Sequence, residues 1–324
     1  MKTAVYAGRR LLQAVPIIVG IVVLNFVLLQ FAPGDAATVL AGEAGGAPPE
    51  YVAHLRQRFG LDQPLAVQLL LYVKNILLLD LGYSFRNNMT VVSLIAGRLG
   101  PTLLLMGSTV VVAVGSGVLL GVLAATAVNT WRDRVISVAA VITYATPLFW
   151  IGLMLILVFT VKLDWLPTSG MEDVVAFNEG WRRVVDIARH LVLPTITLAL
   201  FYMALYTRMM RAAMLDQRDM DYVVTARSKG LTERRITYRH VLRNAVLPVV
   251  TMAGVQVGSL LGGSVVVESV FAWPGLGQLA FQSLFARDFN LLLGIFFLSA
   301  CLVVVVNLAV DVVYGILDPR IRTA

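Results

Sequence analysis

Charge is scarce in this sequence. Charged residues make up 14% of its 324 positions, 58% are hydrophobic, and the mean hydropathy is +0.81. A soluble domain carries about a quarter charged residues. This composition therefore excludes a single soluble globule, and most of the chain must face lipid or other buried helices. Cysteine is nearly absent: Cys301 stands alone, so no intrachain disulfide can form and a cysteine metal cluster is not expected. Its place within the apolar segment Leu291–Ile316 reads as that of a small buried hydrophobe. The phosphate loop G-x-x-x-x-G-K-[ST] does not occur, so ATP cannot bind here in the usual way. There is no H-E-x-x-H, and His54, His190 and His240 all lie outside the apolar cores, which argues against an intramembrane protease and against an enzyme in general. The run Gly275-Leu276-Gly277-Gln278-Leu279-Ala280 matches a dinucleotide fingerprint in letters only. It follows Trp273-Pro274 with no strand-helix-strand context, and it reads as a tight turn. The net charge of +7 could suggest nucleic acid, but the basic residues sit between long apolar runs rather than on a solvated face.

What the chain does have is long apolar runs. A hydrocarbon core of about 30 Å needs about 20 apolar helical residues. Six stretches qualify: Leu11–Ala32, Thr102–Val128, Val135–Val161, Leu191–Leu215, Ala245–Val267 and Leu291–Leu317. The first follows Lys2, Arg9 and Arg10 as a secretory signal does, but it is too long for a signal core and lacks a clean cleavage site, so it is expected to remain as a span. Basic residues resist translocation. Lys2, Arg9 and Arg10, then Arg132 and Arg134, then nine between Arg208 and Arg243, then Arg320 and Arg322 all fall on one side of a six-span arrangement. That side is expected to be cytoplasmic and to hold both termini.

Residues 33–101 read as a small helical cap on the outer face. Pro48-Pro49 opens a helix with Tyr51, Leu55 and Phe59 on one side, closed by Gly60. A second helix runs from Pro64, at its first position, to about Leu79, and a third from the N-cap candidate Thr90 to about Arg98. Residues 162–190 are expected to form a less structured outer loop. Gly117 and Gly121, and likewise Gly254, Gly258 and Gly262, recur every four residues, a spacing that lets helices approach closely in lipid. The spacing fits packing within the chain or against a partner subunit.

The most organised polar segment joins the fourth and fifth runs, residues 215–247. Asp221 can cap a short helix whose last turn carries Lys229 and which Gly230 stops, and a second helix can start at Thr232. A loop that only set topology would need charge and nothing else. The small residues Ala226 and Gly230 supply none.

These residues carry a family resemblance. Ala226-x-x-x-Gly230 followed by Leu247-Pro248 resembles the loop motif of ABC importer permeases, and Asp221-Tyr222-x-x-Thr225-Ala226-Arg227-x-Lys229-Gly230-Leu231 is close to its form in the oligopeptide/dipeptide/nickel branch, B-type subunits. Arg9-Arg10-Leu11-Leu12, Ala32-Pro33-Gly34-Asp35, Phe59-Gly60-Leu61-Asp62-Gln63-Pro64, Asp80-Leu81-Gly82-x-Ser84, Glu268-x-Val270-Phe271-x-Trp273-Pro274-Gly275-Leu276-Gly277 and Leu317-Asp318-Pro319-Arg320 extend the resemblance over nearly the whole chain. Gly230 stands farther from Leu247-Pro248 than in the shortest form of the motif.

The resemblance implies an all-α, six-span, type I importer fold. In it, residues 1–100 form the first span and outer cap, 101–317 the translocation core, 215–247 its coupling loop and 318–324 a cytoplasmic tail. It implies a homologous second permease, an extracytoplasmic solute-binding protein and two ATPase subunits that hold ATP and Mg, with no cofactor or metal on this chain, in a bacterial cytoplasmic membrane. The coupling contact then falls on Asp221, Tyr222, Thr225, Ala226, Arg227, Lys229 and Gly230. Ala226 and Gly230 permit close approach, and Arg227 and Lys229 are free to pair with acidic groups of the ATPase. Trp273, Pro274 and Gly275 form a turn facing the binding protein. Short peptides are the default solute, while members of the branch also carry nickel chelates, haem, glutathione, opines or oligosaccharides. The competing reading is an ion-coupled secondary transporter, which needs ionisable residues near mid-membrane. Glu268 and Asp311 come nearest, with Asn25, Gln30, Gln256 and Asn307 as milder candidates.

Overall fold

The computed structural model describes residues 2–31, 48–58, 62–84 and 86–317. Helix dominates. In chain order it comprises α1 (Lys2–Phe31), α2 (Pro49–Arg58), α3 (Leu65–Leu77), α4 (Val91–Thr126), α5 (Trp131–Ala145), α6 (Leu148–Leu155, continued as a π-helix over Ile156–Lys162), α7 (Gly180–Arg218), α8 (Asp221–Ser228), α9 (Leu242–Val270), α10 (Leu276–Phe285) and α11 (Phe289–Leu317). The short turn Glu233–Arg235 and the π-helix Ile236–Val241 lead into α9. Among the described residues the strands are one small antiparallel pair, β1 (Tyr83–Ser84) on β2 (Met89–Thr90), with Tyr83 opposite Thr90.

Among the described residues, four helices are long and apolar enough to cross a membrane: Val91–Thr126, Gly180–Arg218, Glu233–Gly262 and Phe289–Leu308. The run Val135–Val161, expected to cross as one helix, instead breaks between α5 and α6 with a bend of 106°, and counts as a fifth span only if the two pieces are joined. Pro147 is the cause. It has no N–H to donate, and the residue before it, Thr146, takes an extended ψ of 132°. α1 carries a shorter apolar stretch, Val15–Leu28.

Three further expectations are corrected. The third cap helix is not separate. It begins at Val91, with the Thr90 hydroxyl accepting the Ser93 N–H at 3.4 Å, and continues through Pro101 as the first part of α4. Pro64 precedes its helix rather than opening it, with ψ 145° ahead of Leu65. The outer loop ends sooner than residue 190, because α7 starts at Gly180. Phe59 and Gly60, together with the tail 318–324, lie outside the described residues.

The chain forms two compact units. One takes the described residues up to Leu99 together with Leu279–Gly315. Its core joins Val22, Ile76 and Phe297. Asn25, 2% exposed, donates from its side-chain amide to the Leu293 carbonyl at 3.2 Å, a structural bond rather than a free polar group. The motif Asp80-Leu81-Gly82-x-Ser84 has a physical basis here. Asp80 accepts the Gly82 N–H, and the Ser84 hydroxyl donates to the carboxylate of Asp288, whose other oxygen accepts the Leu291 N–H in the first turn of α11.

The second unit, Gly100–Gln278, is built on α4, α7 and α9. A Cβ at Gly117 would lie 2.6 Å from the Cβ of Tyr206, and one at Gly121 would lie 2.8 Å from the carbonyl oxygen of Thr207. That glycine pair therefore packs α4 against α7 within the chain. On α9, Gly254 is buried, Gly258 half-buried, and Gly262 exposed with open space where a side chain would go. Large apolar residues such as Val111 (73% exposed) and Leu119 (60%) cover the outside of α4, as suits lipid or a partner subunit.

A Gly121→Ala change should overpack the α4–α7 contact at a cost of about 1–3 kcal/mol, whereas Gly262→Ala should leave the purified chain unaffected. Thermal unfolding in detergent checks both, and equal midpoints for the two variants would refute the packing assignment.

Candidate functional site

The loop between α7 and α9 is as compact as its sequence suggests. α7 ends at Arg218, and Met220, with ψ 147°, turns the chain into α8. Asp221 is thus the first residue of the helix and not its cap. Its charge still lies in the first turn, where the helix dipole favours an acid. At the other end Gly230 takes φ +75°, a conformation that costs an L side chain but not glycine. Its N–H bonds to the Arg227 carbonyl at 2.9 Å, and the Leu231 N–H reaches the Ala226 carbonyl at 3.3 Å. Together these bonds are a Schellman stop. Thr232 then holds the extended position before Glu233–Arg235.

α8 has two faces. Val223 and Ala226, fully and nearly fully buried, join Met210 and Met214 of α7 and Ile236, Val241 and Ala245 in one apolar core. Ala226 is therefore spent on packing α8 against its own chain and is not available for close approach by another subunit; it lies three residues from Val223, on the same helical face. Tyr222 is half-buried and donates its hydroxyl to the Gln217 side chain at 2.8 Å. The opposite face, Asp221, Val224 (56% exposed), Thr225 and Ser228, is open, as are Lys229 and Gly230. Arg227 is exposed but not free, because its guanidinium holds the Glu233 carboxylate at 2.7 Å. That carboxylate raises Arg227 above its ordinary pKa.

A second feature lies where α5 meets α7, and the sequence reading missed it. Asp133, buried in the first turn of α5, accepts two bonds from Arg211 of α7 at 2.7 and 2.8 Å, and a third from the Asn129 N–H. Counted as basic residues, Arg132, Arg134 and Arg211 inform topology alone. A lone acid flanked by two arginines was the available signal.

The turn after α9 is corrected outright. Trp273 is fully buried, and its indole N–H donates to the Pro101 carbonyl at 3.0 Å, so it does not face a binding protein. Gly275 is buried and Pro274 half-buried. The turn closes around Glu268, itself fully buried. Its carboxylate accepts the Thr102 hydroxyl at 3.0 Å and the Gln278 N–H at 2.9 Å, while the Thr102 oxygen in turn accepts the Leu276 N–H at 2.7 Å. A Cβ at Gly275 would overlap that carboxylate, and one at Gly277 would fall 2.7 Å from Val265 Cα. The glycines of this motif make room for an acid.

Residues 117–323 match the family of binding-protein-dependent transport system inner membrane components, and residues 5–106 match the N-terminal part of such membrane components. The chain belongs to this family. It is thus a permease subunit of an ABC importer. Among similar proteins, the oligopeptide transport system permease protein AppB of Bacillus subtilis is 42% identical over 98% of this chain and 99% of its own length. The glutathione transport system permease protein GsiC of Escherichia coli is 40% identical over 98% of both. In fold, the permease resembles a chain of the inward-facing MetNI methionine ABC transporter, with a TM-score of 0.56 and 19% identity over 70% of this chain and 97% of that one.

In the purified permease, Gly230→Ala should lower the thermal midpoint by about 2 °C, since a side chain at this φ costs about 1 kcal/mol. Gly230→Asn should lose less, because asparagine tolerates the left-handed region. Equal losses for the two would argue against the Schellman stop.

Proposed function

We propose that this permease forms half of the membrane pathway of a bacterial importer for short peptides, with α8 as the part that receives force from a separate ATPase. The observation that carries the proposal is the division of α8 into two faces. One is locked by Val223 and Ala226 into the core shared with α7 and α9, and the other is open at Asp221, Val224, Thr225 and Ser228. A push on the open face must then move both spans. Ala226 acts inside the chain, Arg227 is braced by Glu233, and Val224, Lys229 and Gly230 take the contact. ATP and Mg belong to two ATPase subunits, a homologous second permease supplies the other half, and an extracytoplasmic binding protein delivers solute. With α1 as the first crossing and the bent pair α5–α6 as the third, six crossings put both termini and α8 on the cytoplasmic side. The cap and the loop at 163–179 face outward. The open α9 surface at Gly262 suits the partner permease.

Short peptides are favoured by the names of the relatives, and glutathione, itself a tripeptide, falls in the same chemical class. Ion-coupled transport is disfavoured because Glu268, its nearest candidate acid, is fully engaged in holding the turn after α9. The side chain of Asp311 lies outside the described residues.

In proteoliposomes holding the whole complex and its binding protein, uptake of a labelled tripeptide should require internal ATP and persist with an uncoupler. Collapse of uptake by the uncoupler while ATP is maintained would overturn the proposal. Gly230→Asp should insert at the normal level, since aspartate also tolerates left-handed backbone, yet lose ATP-dependent uptake by at least tenfold. Normal uptake by that variant would remove α8 from the coupling path.

A further inference from the structure

Backbone that leaves helical geometry at membrane depth is tolerated only when it is buried in protein or lines a wet cavity. The α5–α6 break is such a place. α5 has 15 residues and carries Arg132 and Arg134 in its first turn, so the break lies about 16 Å beyond Arg134, inside a hydrocarbon core of about 30 Å. Pro147 offers no N–H to the Thr143 carbonyl, and among the described residues no backbone or side-chain donor reaches the carbonyls of Thr143, Tyr144 or Ala145. The Thr143 and Thr146 hydroxyls do not compensate, because each donates back to a carbonyl one turn earlier in α5.

The side chains around the break are aromatic and outward. Tyr144 (46% exposed), Phe149 (51%) and Trp150 (50%) flank it. Tyr144 is held in place: its ring stacks on Phe201 of α7 at 4.9 Å, and Phe201 meets Tyr202 edge-on at 5.2 Å. α6 is held from its other side, where Gly152 lies so close to Phe271 that an added Cβ would sit 3.1 Å from the ring. The break is thus rigidly supported on its inner side and left open on its outer side. Beside these rings, three carbonyls have no donor among the described residues. Lipid tails cannot satisfy those acceptors; water or a solute with N–H groups can.

We propose that the α5–α6 break lines the solute pathway, and that the carbonyls of Thr143, Tyr144 and Ala145 accept main-chain N–H groups of the passing peptide while Tyr144 and Trp150 contact its side chains. Backbone acceptors read the feature all peptides share, and exposed rings accept varied side chains, which suits a broad peptide class rather than one compound. The inference rests on the peptide-importer reading above.

The test uses the whole complex in proteoliposomes, with the native cysteine removed as Cys301→Ser and single cysteines placed by Tyr144→Cys, Thr146→Cys or Trp150→Cys, and by Val111→Cys as a control on the exposed apolar face of α4, away from the break. A small, charged, membrane-impermeant methanethiosulfonate is the probe. Cysteines at the break should react at least tenfold faster than the control. Trialanine, supplied with the binding protein and ATP, should slow that reaction, and modification should stop trialanine uptake. Any one break variant that transports before modification is enough to decide the matter. Should none transport, Tyr144→Phe and Tyr144→Ala give a second readout: Phe should keep the KM for trialanine near that of the unmodified sequence and Ala should raise it at least fivefold. Reaction rates equal to that of the control, or fast reaction without protection by trialanine that the complex transports, would overturn the proposal. Fast reaction at the break, where the complex with the unaltered sequence takes up no peptide, would instead overturn the peptide reading and leave the break as pathway lining.

Discussion

A buried carboxylate organises the translocation unit. Glu268, near the end of α9, accepts the hydroxyl of Thr102 near the start of that unit and the Gln278 N–H beyond the turn, while the Thr102 oxygen takes the Leu276 N–H. A buried acid without such partners would be strongly destabilising. These groups must therefore converge, and with them α4, α9 and the opening of α10. The convergence sets the rest. Trp273 is drawn inward to the Pro101 carbonyl, and Phe271 is placed against Gly152, which seats α6 beside the break. Gly275 and Gly277 are required because the carboxylate occupies the space that their side chains would need.

The same unit is tied together as a connected body. The Asp133–Arg211 pair ties the start of α5 to α7, the Gly117 and Gly121 contacts tie α4 to α7, and the Val223 and Ala226 face ties α8 to α7 and α9. A displacement of α8 cannot be absorbed locally, because close-packed interiors deform little. On the proposed coupling it would pass to the spans that the Glu268 turn joins. On the proposed reading, rigidity around α8 and an opening at the α5–α6 break are complementary demands of alternating access.

Some of this was legible in the residues and some was not, for definite reasons. Composition and run length show a helical membrane protein, and Asp221 through Gly230 show a short stopped helix, because helix ends are set by local chemistry. The loop motif and its companions pointed to the family. Burial of Trp273 was not legible, since an aromatic-proline-glycine turn looks the same whether its ring points out or in. Only the partner at Pro101, 172 residues away, decides it. The break at Pro147 was hidden for a related reason. Pro16, Pro101, Pro194 and Pro248 all lie inside continuous helices, so a proline in an apolar run does not announce a break. Helical spacing does not reveal the pairing of Arg227, because its partner Glu233 lies beyond the stop at Gly230.

The central claim, that α8 meets an ATPase on another chain and passes its motion to the spans, is tested most directly by site-specific photo-cross-linking within the assembled complex. A benzoylphenylalanine at Val224, on the open face, should form an adduct with a co-purifying ATPase subunit, and the same probe at Ala226 should react only within the permease. An adduct from Ala226 but not from Val224, or none with any ATPase subunit from either position, would contradict the account.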